Sequence, residues 1–243
     1  MAVTAEDMTE SFDKARRTLV VGLGVTGLSV ARYLSRQGVP VAIVDSREQP
    51  PGLARLRDEL PDDVALFLGG FHAEAFARAE QIVISPGVSR EQPEIVRAVQ
   101  RNIPVIGDIE LFARVVQAPV IAVTGSNGKS TVVTLLAAMA RRAGRDARIG
   151  GNIGTPALDL LDGEEPDLYV LELSSFQLES VESLHPAAAV VLNVSADHLD
   201  RYPDMRAYAS AKQVIYRHAA VQVVNRDDAV AAALAAARGT VVG

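Results

Sequence analysis

The sequence predicts an α/β protein, a Rossmann-like parallel-sheet domain followed by an incomplete P-loop ATPase-type α/β domain. Three observations predict it. Short Val/Ile/Leu runs alternate with amphipathic stretches along the chain, the pattern of βαβ units whose parallel strands are covered on both faces. A glycine-rich turn, Gly22-Leu23-Gly24-Val25-Thr26-Gly27, directly follows the first of those runs. A second, TGSNGKST at 124–131, follows the apolar run Pro119–Val123 and leads into VVTLLAAMARRA, which reads as a helix.

Taken in order, residues 1–16 are polar and read as a flexible tail. The first domain is expected over 17–116. It contains the strand TLVVGL, a helix to about Gln37, the strand VPVAIVD, a helix over Leu53–Leu60, and the strands DVALFLGG and EQIVISPGV. Helical IELFARVV leads into a join around Ala113–Pro119. The second domain, 117–243, starts its sheet near Pro119 and continues with RIGGNIG, DLYVLELSS, AAAVVLNVS and AVQVVN. An alanine-rich helix, AVAAALAAAR, precedes RGTVVG, where a new strand begins.

Composition narrows the function classes. A chain of 243 residues holds two ordinary domains with real cores, and 49% hydrophobic residues exclude a disordered one. No apolar run approaches a membrane span, and no charged-then-apolar leader opens the sequence. Cysteine is absent, which removes disulfides, thiolate catalysis and Cys-type zinc sites together. A net charge of -6 with no basic aromatic stripe argues against nucleic acid. A soluble, cytoplasmic, monomeric protein is expected.

The first glycine-rich loop matches G-x-G-x-x-G between a strand and a helix, and Asp45 ends the next strand, 21 residues beyond Gly24. Those features alone point to NAD, with the acid on the ribose hydroxyls. The loop itself says only that a diphosphate approaches the backbone closely, not which nucleotide carries it. Asp45-Ser46-Arg47 and Ser85-Pro86-Gly87-Val88 both fall at carboxyl ends of strands, the edge where open α/β sheets bind ligands. Arg47 is placed either to meet a phosphate or to face solvent.

The second loop carries more chemistry. Backbone N–H groups of such a turn form a concave nest at a positive helix end, where a polyphosphate binds. Lys129 adds a point charge for the outer phosphates, and Ser130 or Thr131 a hydroxyl for Mg²⁺. The spacing departs from the usual P-loop, because Val123 stands where the first glycine belongs. Further residues converge on the same strand edge. Asn152, in GGNIGTP, offers a neutral amide to a sugar or phosphate oxygen. Glu172 closes the strand DLYVLEL and supplies the oxygen ligand a hard cation needs. Asp197-His198 follows AAAVVLNV, with His198 a candidate ligand. Lys212 shares an apolar stripe with Met205, Tyr208 and Ile215, spaced by threes and fours. A lysine there either snorkels or has a depressed pKa, and a neutral amine can capture CO₂ as a carbamate.

The motifs GLGVTGLS, ISPGV, VTGSNGKST, GGNIGTPAL, LELSSFQLE, SADHLDRY and YASAKQVIY stand in the order of the Mur ligase family. From about Thr18 onward the chain resembles the amino-terminal half of that family's D-glutamate-adding branch. LELSSFQLE is the discriminating motif. The resemblance implies an ATP-dependent ligase that joins D-glutamate to UDP-N-acetylmuramoyl-L-alanine in peptidoglycan synthesis. It implies that the first loop holds a UDP-sugar, with Val25, Thr26, Asp45, Ser46, Arg47, Ser85, Pro86 and Gly87 near its diphosphate or uridine. ATP would lie on Gly125, Ser126, Asn127, Gly128, Lys129, Ser130 and Thr131. Mg²⁺ would be held through Ser130 or Thr131 and Glu172, with a second ion near His198 and carbamylated Lys212. Asn152 and His198 would contact the muramoyl substrate, and Lys129, Glu172, His198 and Lys212 form the implied catalytic set.

Family members continue through the rest of the ATPase sheet and a third domain that binds D-glutamate. This sequence stops at RGTVVG, so a truncated and incompetent form is expected. Two other readings stand beside the ligase. One is a NAD-dependent oxidoreductase, which leaves TGSNGKST and Lys212 unused. The other is a non-catalytic nucleotide-binding fragment.

Overall fold

In the computed structural model the described residues are 17–60, 64–197, 200–235 and 240–243. The expected tail at 1–16 and His198 lie outside them. The chain divides into two units, Met1–Val115 and Val116–Gly243.

The first unit runs β1 (Thr18–Val21), α1 (Val25–Arg36), β2 (Val41–Asp45), α2 (Leu53–Glu59), β3 (Ala65–Leu68), α3 (Ala73–Arg78), β4 (Gln81–Ile84), α4 (Pro93–Gln100), β5 (Val105–Gly107) and α5 (Asp108–Ala113). Its strands are ordered β3-β2-β1-β4-β5, and every pair is parallel. All residues of β1 and β4 are buried, which is why TLVV and QIVI read as apolar runs without alternation. Helix α1 buries Leu28, Ala31 and Leu34 at helical spacing. It stops at Gln37 because the next residue, Gly38, turns left-handed at φ +71°. Strand residues Leu19, Val21, Val44, Ile82 and Ile84 pack with Phe76, Ile95 and Ala98 of the helices. The sheet grows from β1 toward β2 on one side and β4 on the other, so a crevice opens beyond the carboxyl ends of β1 and β4.

The second unit runs β6 (Val120–Thr124), α6 (Lys129–Arg142), β7 (Ala147–Gly151), β8 (Leu168–Glu172), α7 (Ser175–Leu178), β9 (Ala188–Val191), α8 (Met205–Gln213), β10 (Val221–Val224), α9 (Ala229–Ala233) and β11 (Thr240–Val242). The order is β11-β10-β9-β6-β8-β7, again with parallel pairs alone. Both units are therefore α/β, as the alternating pattern predicts. Val123, Val133 and Val170 make the buried centre between α6 and the sheet. Register then sets the site. Val123 lies beside Glu172 and Thr124 beside Val191, so the ends of β6, β8 and β9 are level with the phosphate loop. The alanine-rich helix is shorter than its propensity suggests, with α9 covering Ala229–Ala233 and residues 236–239 lying outside the description. Among the described residues no helix is long and apolar enough to cross a membrane.

Candidate functional site

The loop after β6 turns on two glycines. Gly125 has φ +154° and Gly128 φ +81°, and a Cβ at Gly125 would meet Leu192 Cβ at 3.1 Å. Gly128 is the N-cap of α6, and no side chain caps that helix among the described residues. The first-turn amides therefore face outward without intrahelical partners. Lys129 folds back over the loop, its Nζ donating to Gly125 O at 2.9 Å and Ser126 O at 3.0 Å.

Lys212 arrives at the same oxygen from α8. Asp204 starts that helix by accepting from Ala207 N at 2.8 Å, and Tyr208, Ala209 and Lys212 form its buried face. Lys212 is 1% exposed, so the snorkelling alternative is corrected: the amine does not reach water. Its Nζ donates to Gly125 O at 2.9 Å and lies 4.4 Å from the Tyr208 ring centre. Burial pushes its pKa down to about 8, Lys129 pushes the same way, and Asp197 opposes them. One carbonyl thus accepts from two lysines, which concentrates positive charge at the loop.

Glu172 is 3% exposed. Its Oε2 accepts from Ser130 Oγ at 2.7 Å, and its Oε1 accepts from Asn152 Nδ2 at 2.8 Å. Asn152 is fixed further by its own N–H on Glu172 O at 2.8 Å. Of the two candidate hydroxyls, Ser130 is the one that reaches the carboxylate, while Thr131 sits one residue further along the helix. A carboxylate beside a hydroxyl at a phosphate loop is the oxygen donor set Mg²⁺ takes, with phosphates and water completing its shell. Among the described residues no group of three His, Cys, Asp or Glu gathers into an independent metal centre.

The first unit's loop is arranged differently. Gly22 has φ +93°, and a Cβ on Gly27 would fall 1.8 Å from Gly22 O, so both glycines are required for α1 to sit this close to β1. Asp45 is 2% exposed, and its carboxylate accepts from Leu23 N at 2.7 Å. It also accepts from Arg47 N at 2.9 Å, Arg47 Nε at 2.8 Å and Arg47 Nη2 at 2.7 Å. Burial raises the Asp45 pKa, but the Arg47 guanidinium and the two backbone donors outweigh it and hold the carboxyl below its ordinary range. Ser85 Oγ donates to Gly22 O at 2.9 Å, bracing the loop from β4. Ser46 and Gly87 are exposed, Thr26 and Pro86 half-buried, and Val25 opens α1 at 65% exposure.

Sequence reasoning missed Asn193 and Ser195. Asn193 Oδ1 accepts from Ser126 N at 3.1 Å and Asn127 N at 2.9 Å, and its Nδ2 donates to Asn127 O at 3.1 Å. Ser126 Oγ donates to Ser195 O at 3.1 Å and accepts from Ser195 N at 3.0 Å. The available signal was a polar residue placed just past β9, level with the loop.

Comparison with known proteins covers both glycine-rich loops. The Mur ligase MurD-like N-terminal domain matches residues 16–107, and the Mur ligase middle domain matches 123–241. This chain belongs to the Mur ligase family. It is 58% identical over 214 residues to the UDP-N-acetylmuramoylalanine--D-glutamate ligase of Nitrosococcus oceani, covering 88% of this chain and 47% of that protein. The enzyme of the same name from Marinobacter nauticus is 57% identical over 220 residues, covering 90% and 49%. The chain thus spans about half the length of the curated relatives it matches. Among solved structures, a UDP-N-acetylmuramate:L-alanyl-gamma-D-glutamyl-meso-diaminopimelate ligase from Neisseria meningitides aligns with a TM-score of 0.62 at 20% identity, over 93% of this chain and 76% of that one. The UDP-N-acetylmuramate-alanine ligase of Thermotoga maritima gives 0.55 at 23% identity, over 90% and 51%. At those identities the structural likeness speaks for the fold.

Proposed function

We propose that this chain supplies the UDP-sugar-binding and ATP-binding parts of a ligase that joins D-glutamate to UDP-N-acetylmuramoyl-L-alanine in peptidoglycan precursor synthesis. Residues 17–116 form the UDP-sugar domain and 117–243 part of the central ATP domain. One observation carries the reading. A phosphate loop, two lysines on one carbonyl and a buried carboxylate bonded to the loop's serine meet at one sheet edge.

The substrate carboxylate oxygen attacks the γ-phosphorus of ATP, the bond to ADP breaks, and an acyl phosphate forms. The amine of D-glutamate then attacks the acyl carbon, phosphate leaves, and the amine proton passes to solvent or base. Three anionic groups must approach one another, so the task of these residues is to hold and offset charge. Lys129 serves the outer phosphates, and the amides of the first turn of α6 hold the others. Ser130 and Glu172 would hold Mg²⁺, which would supply charge neutralisation when bound. Asn152, fixed on Glu172, faces the muramoyl side. Lys212, neutral in part near pH 8, attacks CO₂ through its amine and loses a proton to become a carbamate. As a carbamate it would offer oxygens to a second cation, with His198 the other candidate ligand. The saturation of Asp45 by Leu23 N–H and Arg47 disfavours NAD, since the acid is spent on its own loop.

Calorimetric titration of the chain with UDP-N-acetylmuramoyl-L-alanine, MgATP and NADH tests the reading. The first two are expected to bind and NADH is not. Tight NADH binding without the UDP-sugar overturns it in favour of an oxidoreductase. In a protein of the relatives' full length, ADP release is expected only when the UDP-substrate and D-glutamate are both present.

A further inference from the structure

We infer that Asn193 is a positioning residue that divides the amides of the phosphate loop, keeping those of Ser126 and Asn127 for itself and leaving those of Gly128 to Thr131 for phosphate. The inference rests on the ATP reading of this loop and deepens it. Asn193 stands two residues past the end of β9, on the strand that pairs with β6, so its side chain meets the loop from the neighbouring strand end. Its Oδ1 accepts from both amides, at 3.1 and 2.9 Å. Its backbone carbonyl also accepts from Ser126 N at 3.0 Å, and its Nδ2 donates to Asn127 O at 3.1 Å. Ser195 adds two bonds to the Ser126 hydroxyl. Two loop N–H groups are therefore already spent inside the protein. Gly128, left-handed at φ +81°, then redirects the backbone into the uncapped first turn of α6. The nucleotide is left with the later amides.

The side-chain type follows from this task. Position 193 must accept twice and donate once beside a seat for a polyanion. A carboxylate would accept both bonds but would lose the donation and bring a negative charge. An alkyl side chain would free the Asn127 amide, leave Ser126 N on the backbone carbonyl alone, and let the loop reorder. Asparagine meets all three demands without charge.

The test is an NMR titration of ¹⁵N-labelled chain with MgATP, on wild type, Asn193→Ala and Asn193→Asp, with calorimetry of MgATP and of the UDP-substrate. In wild type the amides of Gly128, Lys129, Ser130 and Thr131 are expected to shift, while those of Ser126 and Asn127 stay protected from exchange. In Asn193→Ala the protection of Asn127 is lost, that of Ser126 is kept by the residue-193 carbonyl, and the MgATP Kd rises roughly tenfold. Asn193→Asp keeps the protection yet also weakens MgATP, and added salt narrows the deficit. The UDP-substrate affinity is expected to be nearly the same in all three, because its UDP end is read on the other unit and Asn193 makes none of the proposed muramoyl contacts. A wild-type chain that binds no MgATP overturns the ATP reading, and this inference with it. Wild-type binding matched by Asn193→Ala, or shifts of Ser126 and Asn127 as large as those of the later amides, overturns the inference alone. Should Asn193→Ala fail to fold, the wild-type shift pattern and the aspartate variant still decide.

Discussion

The two glycine-rich loops occupy equivalent places, each at the carboxyl end of its sheet's central strand, yet they settle their charge in opposite ways. In the first, a loop amide points at a carboxylate, and that carboxylate is neutralised at once by Arg47. In the second, the loop amides point at a neutral side chain, and two lysines crowd onto the carbonyl of Gly125. The first loop thus has its acid neutralised within the loop itself. The second gathers two lysines at one carbonyl beside first-turn amides that a polyanion would answer. Shared fold and shared glycines therefore do not make shared chemistry; the polar side chains around each turn decide it.

The comparison breaks most sharply at Gly27. Gly27→Ala would place a methyl 1.8 Å from Gly22 O, so α1 must move off β1. A loss of about 3 kcal/mol in the first unit is expected from such overpacking. Denaturant unfolding followed by a probe in each unit checks it, and a second-unit transition that stays in place sharpens the contrast. Lys129→Ala comes next. It is expected to weaken MgATP roughly 100-fold by removing a charged donor, while UDP-substrate binding is unchanged. Equal loss of both ligands would show that the loops do not serve separate ligands.

Lys212 gives a third, pH-dependent difference. Its folded pKa of about 8 lies below the ordinary 10.5, so the folded chain binds this proton more weakly than the unfolded chain. Charging Lys212 thus costs stability below about pH 8, and stability rises with pH between about 8 and 10.5. The Lys212→Met variant is expected to lack that rise, worth about 3 kcal/mol across the window, in stability curves measured beside wild type. Parallel curves would mean the amine is solvated. The smallest effect belongs to Thr124, whose hydroxyl is fully buried and has no hydrogen-bond partner among the described residues. Thr124→Val is expected to stabilise the second unit by about 1 kcal/mol, since it removes an unsatisfied group at nearly constant shape. Destabilisation by the valine would assign that hydroxyl a partner.

How much of this was legible depended on how local the cause was. Strands buried on both faces must be apolar throughout, so β1, β4 and β6 announced themselves as runs. Helical spacing placed Lys212 on the apolar stripe but left open whether its amine snorkels, which the fold decides. The fate of Asp45 was not legible. The spacing behind a glycine-rich loop points an acid at ribose, whereas its partners here are Leu23 N–H and the side chain two residues on. Asn193 was invisible for a different reason. An asparagine after a strand looks like any loop residue until the fold sets it against amides 66 and 67 positions earlier in the chain.

Those long separations carry a consequence for how the protein is made. The phosphate loop leaves the ribosome well before the residues that shape it, since Asn193 follows Asn127 by 66 residues and Lys212 follows Gly125 by 87. Until α8 has emerged and docked, the segment TGSNGKST has neither its amide staple nor its second lysine. Nucleotide can therefore assist only the last stage of folding in this unit, by trapping a loop already assembled. The first unit carries its own braces within residues 22–85 and can reach its native state while the second is still being synthesised.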